Sequence, residues 1–344
     1  MPVPSTVQQP VADSVLANVA ERAASIDRGD VETDVALAEL GRSGAFDAAA
    51  QGDVAGVTSL LETLARECFS TAFSAWGHTM AILFHRAAGT EIPQELLNGS
   101  VAGVSAMAPA FKWASELGDI PVEAVADGDS VVLNGKIVWA SNLFPNAIIM
   151  MPVRFEDGTL TIARVRIGTE GLTVKRSAPL MALNGTASGS LTLSDVRIPG
   201  SDVTGVPLKE FLATVRPGFL LAQSAFCIGL GARSLDEAAS AVVKPGPNAL
   251  FRDRLNGLRE TEQSLRNEHA ALLEKVTSPV RLLQLRLDAA HFVSAATKLE
   301  ATVAGGRGYL ADTDTTRRVR EAAFLPVQSP TEGHLMWEIR RQSA

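Results

Sequence analysis

The chain has 344 residues, of which 46% are hydrophobic and 20% are charged, as expected for a folded protein of two or three domains. Its formal net charge of −7 disfavours dedicated binding to nucleic acid or to an anionic membrane, because such binding usually needs a basic surface. The two cysteines, Cys68 and Cys227, lie in apolar, helix-like segments and predict reduced core thiols. Residues 1–6 lack the pattern of a secretory signal, and no run of 18 apolar residues predicts a membrane span. We therefore expect a cytoplasmic protein.

Residues 1–100 predict an N-terminal helical domain. Helical patterns are found at 13–26 and 35–40, and apolar residues recur at helical spacing over 57–69. Residues 71–88 are apolar nearly all round, which predicts a buried helix. Its histidines, His78 and His85, are expected to be hydrogen-bonded within the core, although their spacing would also let them face one cavity.

Residues 101–205 predict a middle antiparallel β domain. Asn134-Gly135 between two apolar stretches predicts a hairpin, because Asn-Gly supplies the positive φ angles of a tight turn. Further strands are predicted at 147–155, 159–166, 172–176 and 190–198. Short strands linked by turns are typical of an antiparallel sheet or barrel.

Residues 206–344 predict a C-terminal four-helix bundle. Residues 219–243 are apolar and rich in small residues, whereas 248–275 are charged and amphipathic. Ser278-Pro279 begins a helix whose apolar stripe ends at Gly305, and 316–324 continue as a further helix. The basic cluster in that last segment predicts a solvated or subunit-facing surface. The predicted fold is therefore α+β and multidomain, with helices, a β domain and a helical bundle in that order.

Four local motifs, in this order of domains, resemble the acyl-CoA dehydrogenase family. Leu133-Asn-Gly-Lys-Ile-Val-Trp-Ala-Ser-Asn142 is similar to the family's L-N-G-x-K-x-W-I-T-N segment, and 193–199 to its F-x-D-V-x-V-P segment. Residues 228–238 resemble the small-residue helix that opens the family's bundle. Gly305-Gly-Arg-Gly-Tyr309, followed by Arg320-Glu-Ala, resembles its G-G-x-G-[YF] and R-D-A.

The resemblance implies an FAD between the β domain and the bundle, with a neighbouring subunit completing the site. In the family the flavin takes a hydride from a thioester while a glutamate removes the α-proton. The implied ligand is an acyl-CoA or another small molecule, and the implied assembly is a homodimer, a homotetramer or a hetero-oligomer. The residues implied at the cofactor are Ser115, Trp139, Ser141, Gly305, Gly306 and Thr331.

The catalytic glutamate is where the chain departs from the family. Without gaps, the family's E-G-T falls on Ser329-Pro330-Thr331, and a serine cannot remove an α-proton unaided. Glu332 repeats the letters E-G but would need a three-residue insertion to take that place. His334 beside Glu332 could form an acid–base pair, and ligand spacing predicts no metal site.

Three hypotheses remain open at this point. The chain is a divergent acyl-CoA dehydrogenase-like oxidoreductase with a non-standard base, a flavin-dependent monooxygenase on the same fold, or a degenerate subunit that completes a partner's site. The monooxygenase relatives also lack the glutamate.

Overall fold

A computed structural model describes residues 11–342, so the expectation about residues 1–6 lies outside the described residues. The helices in this part of the chain are α1 Asp13–Arg28, α2 Asp34–Arg42, α3 Asp47–Gln51, α4 Val54–Glu67, α5 Phe69–Ala87, α6 Gln94–Leu97, α7 Ala108–Ala114, α8 Leu208–Val242, α9 Arg252–Glu274, α10 Pro279–Ala304, α11 Asp314–Phe324 and α12 Glu332–Gln342. The strands are β1 Gly103–Ser105, β2 Val122–Asp127, β3 Ser130–Ala140, β4 Ile148–Phe155, β5 Leu160–Arg166, β6 Leu172–Arg176 and β7 Gly189–Pro199. The α+β multidomain fold is confirmed, while the domain boundaries near 100 and 205 stay predictions.

Helix α5 is the central helix of the N-terminal part. The buried helix predicted at 71–88 is confirmed, because nearly every residue from Phe69 to His85 is buried. It packs against β1 on one side and α8 on the other, so it joins the sheet to the bundle. Helix α4 begins earlier than expected, at Val54, where the Asp53 side chain accepts a hydrogen bond from the Gly56 backbone and caps the helix.

The middle part is one seven-stranded sheet in the order β1-β4-β2-β3-β7-β6, with β5 paired to β4. Most pairings are antiparallel, as expected. The strands predicted at 147–155 and 159–166 are found as β4 and β5, with Asp157-Gly158 between them. The exceptions are β1 and β2, which both pair with β4 in parallel. Strand β4 therefore pairs with β1, β2 and β5, and it is buried over most of its length.

The hairpin predicted at Asn134-Gly135 is wrong. These residues lie inside the continuous strand β3, at a register shift opposite β7, and the turn that joins β2 to β3 contains Gly128. The Asn134 side chain bonds to Asp195 of β7 instead of shaping a turn. Gly135 is required for space, because a Cβ there would lie 2.2 Å from the Pro121 carbonyl oxygen. A bulge and a hairpin both suit Asn-Gly locally, and the distant strand β7 decides between them.

Helix α8 is the core of the C-terminal bundle, and its small residues allow close packing. A Cβ on Gly229 would lie 2.3 Å from the Glu62 carbonyl oxygen of α4, and one on Gly231 would lie 2.3 Å from the Phe292 ring of α10. Among the helices of residues 11–342, α8 is the one long and apolar enough to cross a bilayer by length and composition. Its most apolar stretch is 72% buried inside the protein, as in the core helix of a bundle.

The helix predicted to begin at Ser278-Pro279 is confirmed as α10, with Pro279 at its first position. The solvated surface predicted for the basic cluster of α11 is wrong. Arg318 is buried and bonds to Glu300 of α10, and Arg317 is buried beside Glu321. Their acidic partners make this burial possible. Glu321 lies one helical turn from Arg317, whereas Glu300 lies on another helix and could not be paired with Arg318 from local spacing.

Candidate active site

A cavity of about 510 Å³ lies where the N-terminal helices, the sheet and the bundle meet. Helix α5 forms one wall, the end of β3 and the segment 180–188 form a second, and α11 with the following residues to Thr331 form a third. Its size is typical of a pocket for a small molecule or a cofactor. The three parts of the chain therefore enclose a single ligand-sized space.

Four aromatic side chains make the cavity wall rigid and apolar. Trp76 of α5 meets Phe219 of α8 edge to face, with ring centroids 4.9 Å apart. Phe73 stacks on Trp76 and meets Phe324 of α11 at a centroid distance of 5.1 Å. Such contacts fix the rings and suit a flat, apolar ligand. None of these four residues was singled out from the sequence.

Hydroxyl groups form a short chain on the sheet side of the cavity. The Ser141 Oγ lies 2.6 Å from the Ser188 Oγ, which lies 2.8 Å from the Thr186 Oγ1. Ser141 and Ser188 line the cavity beside Trp139, whose side chain is 57% exposed at the mouth. Two of the predicted cofactor residues, Trp139 and Ser141, are thus brought to the cavity.

Position 329 also faces the cavity. Ser329 and Thr331 both line it. The Thr331 hydroxyl accepts a hydrogen bond from the His334 backbone at the start of α12. The Ser329 Oγ is buried and has no hydrogen-bond partner among the described residues.

The cavity lining carries positive charge only. Lys112 and Arg320 are its charged side chains, and no carboxylate belongs to the lining that residues 11–342 provide. Arg320 is paired with Asp27, with a nitrogen–oxygen distance of 3.0 Å. Lys112 is exposed and makes no ion pair with the described residues.

A buried arginine, Arg286, lies behind the cavity wall and was missed from the sequence. It is fully buried on α10 and donates to the side-chain oxygens of Gln223 and Gln328 at 3.2 and 3.0 Å. It also donates to the Leu325 carbonyl oxygen at the end of α11. Its position in the sequence is the signal that could have revealed it. Arg286 has helical spacing to the buried residues Leu283 and Ala290, so it lies on the apolar stripe.

The structure does not support Glu332 as a base in this cavity. Its carboxylate accepts a hydrogen bond from His291 of α10 at 3.0 Å, at a partly exposed position outside the lining. The option of an acid–base pair between Glu332 and His334 is not realised in the structure. Residues two apart on α12 point in different directions, whereas His334 and Glu338, four apart, share a face and lie 2.8 Å apart.

Ser115 lies in the contact between α7 and α12, outside the cavity lining. Its hydroxyl donates to the Phe111 carbonyl oxygen and lies 2.7 Å from the His334 Nε2. Glu338 approaches the same nitrogen, and Arg216 also bonds to that carboxylate. Nucleophile activation needs the hydroxyl and the acid on different ring nitrogens, so the arrangement fastens α12 and does not form a catalytic triad.

Burial raises the pKa of the Glu338 carboxyl, but the hydrogen bond from His334 and the charge of Arg216 outweigh it. The net result is a pKa of about 2. Glu338 is therefore ionised at neutral pH and stabilises the contact.

Gly305 and Gly306 are exposed at the end of α10 and do not line the cavity. Gly305 has φ +60° and ψ −139°, and its N–H bonds to the Thr302 carbonyl oxygen as the helix C-cap. Tyr309, at the end of the same turn, is 93% exposed. Within this single chain the turn therefore acts as a helix terminus.

Comparisons with known proteins agree with this architecture. The chain is 24% identical over 250 residues to YngJ of Bacillus subtilis, a probable acyl-CoA dehydrogenase, and the match covers 66% of this chain and 65% of that protein. The butyryl-CoA dehydrogenase of Megasphaera elsdenii superposes with a TM-score of 0.82 at 19% identity, covering 98% of both chains. In sequence and in fold the chain resembles the acyl-CoA dehydrogenase family.

A further structural neighbour is named for a different carrier. The prolyl acyl carrier protein oxidase AnaB superposes with a TM-score of 0.81 at 16% identity and covers 99% of this chain and 100% of that one. No protein-family profile matches the chain. The chain spans less than two thirds of the length of the curated relatives that it matches. Within residues 11–342, no group of three or more His, Cys, Asp or Glu could hold a metal ion.

Proposed function

We propose that the chain is a member of the acyl-CoA dehydrogenase family and an FAD-dependent oxidoreductase acting on an acyl thioester or a related small molecule. The observation that carries the proposal is the cavity of about 510 Å³, which combines an aromatic wall with the hydroxyls of Ser141 and Ser188. An apolar space with a few placed polar groups suits a flavin ring and an acyl chain. Relatives in the family are flavoproteins.

The residues present fit the ring end of FAD better than its phosphate end. Trp139 at the mouth would flank the ring, Ser141 would hydrogen-bond its polar edge, and the Trp76 wall would exclude water. Ser115 and the glycine turn, which the resemblance placed at the cofactor, lie outside the cavity lining. When bound, FAD would supply the acceptor for a hydride from the acyl chain.

The proposed assembly is a homodimer or homotetramer, and a hetero-oligomer is the alternative. The exposed Gly305–Tyr309 turn would then meet a neighbouring subunit's cofactor, because Tyr309 is 93% exposed and large exposed aromatic residues are enriched at interfaces. The cytoplasm is the proposed location, and no nucleic acid or membrane is proposed as a partner.

Removal of the α-proton would not be carried out by a protein carboxylate in the cavity lining of residues 11–342, because that lining contains none. By the ungapped count from the glycine turn, Ser329 takes the position of the family's glutamate. This observation favours a second candidate, a flavin-dependent monooxygenase, since oxygen activation by reduced flavin needs no base at that position. A non-catalytic subunit is the remaining alternative.

Spectroscopy of the purified chain tests the proposal. We expect a flavin absorption band after loading with FAD, and its loss in air-free solution on addition of butyryl-CoA if the protein is a dehydrogenase. Consumption of NADH that depends on a separate reductase would identify the monooxygenase instead. Ser141→Ala should weaken FAD retention, whereas Ser294→Ala, at an exposed position on α10, should not. A chain that stays colourless in excess FAD is the result that contradicts both enzyme proposals.

A further inference from the structure

Arg286 is a buried charge without a counterion. It is the largest fully buried side chain of residues 11–342, and none of its partners there is a carboxylate. Its acceptors are two amide oxygens and one carbonyl oxygen, and its Nη1 atom has no partner. A buried guanidinium is usually paired with an acid because removing it from water is costly. The region behind the cavity wall is therefore electropositive.

Arg286 determines which way the Gln328 amide faces. A guanidinium has donors only, so the Gln328 oxygen must face Arg286 and the amide nitrogen must face the other way. Gln328 lines the cavity, is 4% exposed, and its Nε2 has no hydrogen-bond partner among the described residues. The arginine thus leaves the Gln328 amide nitrogen as an unpaired, polarised donor in the cavity wall.

Two more residues of the cavity lining carry an unpaired buried polar atom. The Trp76 Nε1 and the Ser329 Oγ are buried without a partner in the described part of the chain. Together, Trp76, Gln328 and Ser329 form what we call the donor cluster. A buried donor left unsatisfied destabilises the protein, and a ligand that brings acceptor oxygens removes that penalty. No acid of the described lining competes for these donors.

We infer that the donor cluster binds a carboxylate carried by the acyl part of the ligand. The substrate class is then an acidic acyl thioester, with its free carboxylate at the place where the family's glutamate would otherwise stand. The thioester part rests on the proposed function, whereas the carboxylate site rests on Arg286, Gln328 and the unpaired donors alone. Gln328 contacts the carboxylate in this arrangement, and Arg286 acts through it as a positioning residue.

Binding experiments on the full-length protein with saturating FAD separate these two parts. The first compares butyrate with its uncharged analogue butyramide as free probes. We expect butyrate to raise the midpoint of thermal unfolding by about 2 °C and butyramide to leave it unchanged. The second compares succinyl-CoA with butyryl-CoA by calorimetry, and we expect succinyl-CoA to bind about tenfold more tightly.

Variants at Gln328 assign the preference to the donor cluster. Gln328→Met should abolish it in both assays, and Gln263→Met, on the exposed face of α9, should leave it intact. Gln328→Glu should also abolish it while keeping the fold, because its carboxylate can pair with Arg286. Equal effects of butyrate and butyramide, or a preference that survives in both Gln328 variants, would overturn the inference. A butyrate response without binding of either CoA ester would retain the carboxylate site and contradict the thioester proposal.

Discussion

Acid sensitivity arising from His78 is a prediction that the structure allows to be worked out in detail. His78 is fully buried on α5, its Nε2 donates to the Leu96 carbonyl oxygen at 2.8 Å, and its Nδ1 accepts the Gly103 N–H at 2.9 Å. Its ring also packs on Phe46 at a centroid distance of 4.2 Å. Both nitrogens are satisfied only in the neutral form, because an imidazolium has no acceptor for the Gly103 N–H.

Burial lowers the pKa of His78 from 6.5 to about 4, although the bond to Leu96 raises it slightly. The unfolded chain therefore binds a proton on the His78 ring near pH 6.5, whereas the folded protein binds it only near pH 4. The contribution of neutral His78 to the free energy of unfolding is fully present above pH 6.5. It decreases as the pH falls from 6.5 to about 4 and does not change further below that pH. A shift of this size corresponds to about 3 kcal/mol of unfolding free energy.

Urea unfolding of the wild type and of His78→Gln, from pH 8 to pH 4.5, measures this contribution. The variant should be less stable at pH 8, because it loses ring packing, but its disadvantage should shrink by about 2–3 kcal/mol at pH 4.5. His85 and His269, whose pKa values burial also lowers, are present in both proteins and cancel in the difference. If the difference in unfolding free energy between the two proteins is the same at every pH, His78 is not buried in its neutral form and the reasoning fails.

Three further predictions test the packing, the α12 contact and the outward position of Glu332. Gly135→Ala should lower the free energy of unfolding by about 3 kcal/mol, because its Cβ would meet the Pro121 carbonyl, whereas Gly158→Ala, with positive φ but open space, should cost only about 1 kcal/mol in the same urea assay. Because the pKa of Glu338 is lowered to about 2, its stabilisation is present above pH 4.5 and lost as the pH falls through 2. The thermal midpoint of Glu338→Gln should therefore approach that of the wild type only in strong acid. Glu332→Gln should keep the turnover and the thermal midpoint of the wild type, and a loss of turnover would bring Glu332 back as the base.

Elements shaped by local chemistry could be predicted from the sequence. The strands around Asp157-Gly158 are found as β4 and β5, because Gly158 takes the positive φ that the turn needs. Pro279 begins α10 and Gly305 ends it, for equally local reasons. Asn134-Gly135 shows the limit of this reasoning. A bulge and a turn need the same residues, and the choice depends on β7, about 60 residues further along the chain.

The candidate site was predictable only in part, because it is assembled from distant segments. Trp139, Ser141, Ser329 and Thr331 reach the cavity, and motif spacing had pointed to all four. The aromatic wall and Arg286 were not predictable in this way, since their meaning comes from partners on other helices. Gln223 lies 63 residues from Arg286 in sequence, and Gln328 lies 42 residues from it. The local sequence places Arg286 on the apolar stripe of α10, but it does not identify the partners that hold the charge.

The glycine turn and position 329 differ in what the backbone requires of them. Gly305 ends α10 with φ +60° and ψ −139°, a conformation that favours glycine whether or not a flavin is nearby. The segment at Ser329 is instead held through main-chain oxygens, by Gln223 at Ser329 and by Arg286 at Leu325. Those bonds do not depend on the side chain at 329. A serine can therefore stand at this position in place of a glutamate without disturbing the cavity wall. The turn therefore identifies the fold, whereas the reaction must be determined from the side chains around Gln328 and Ser329.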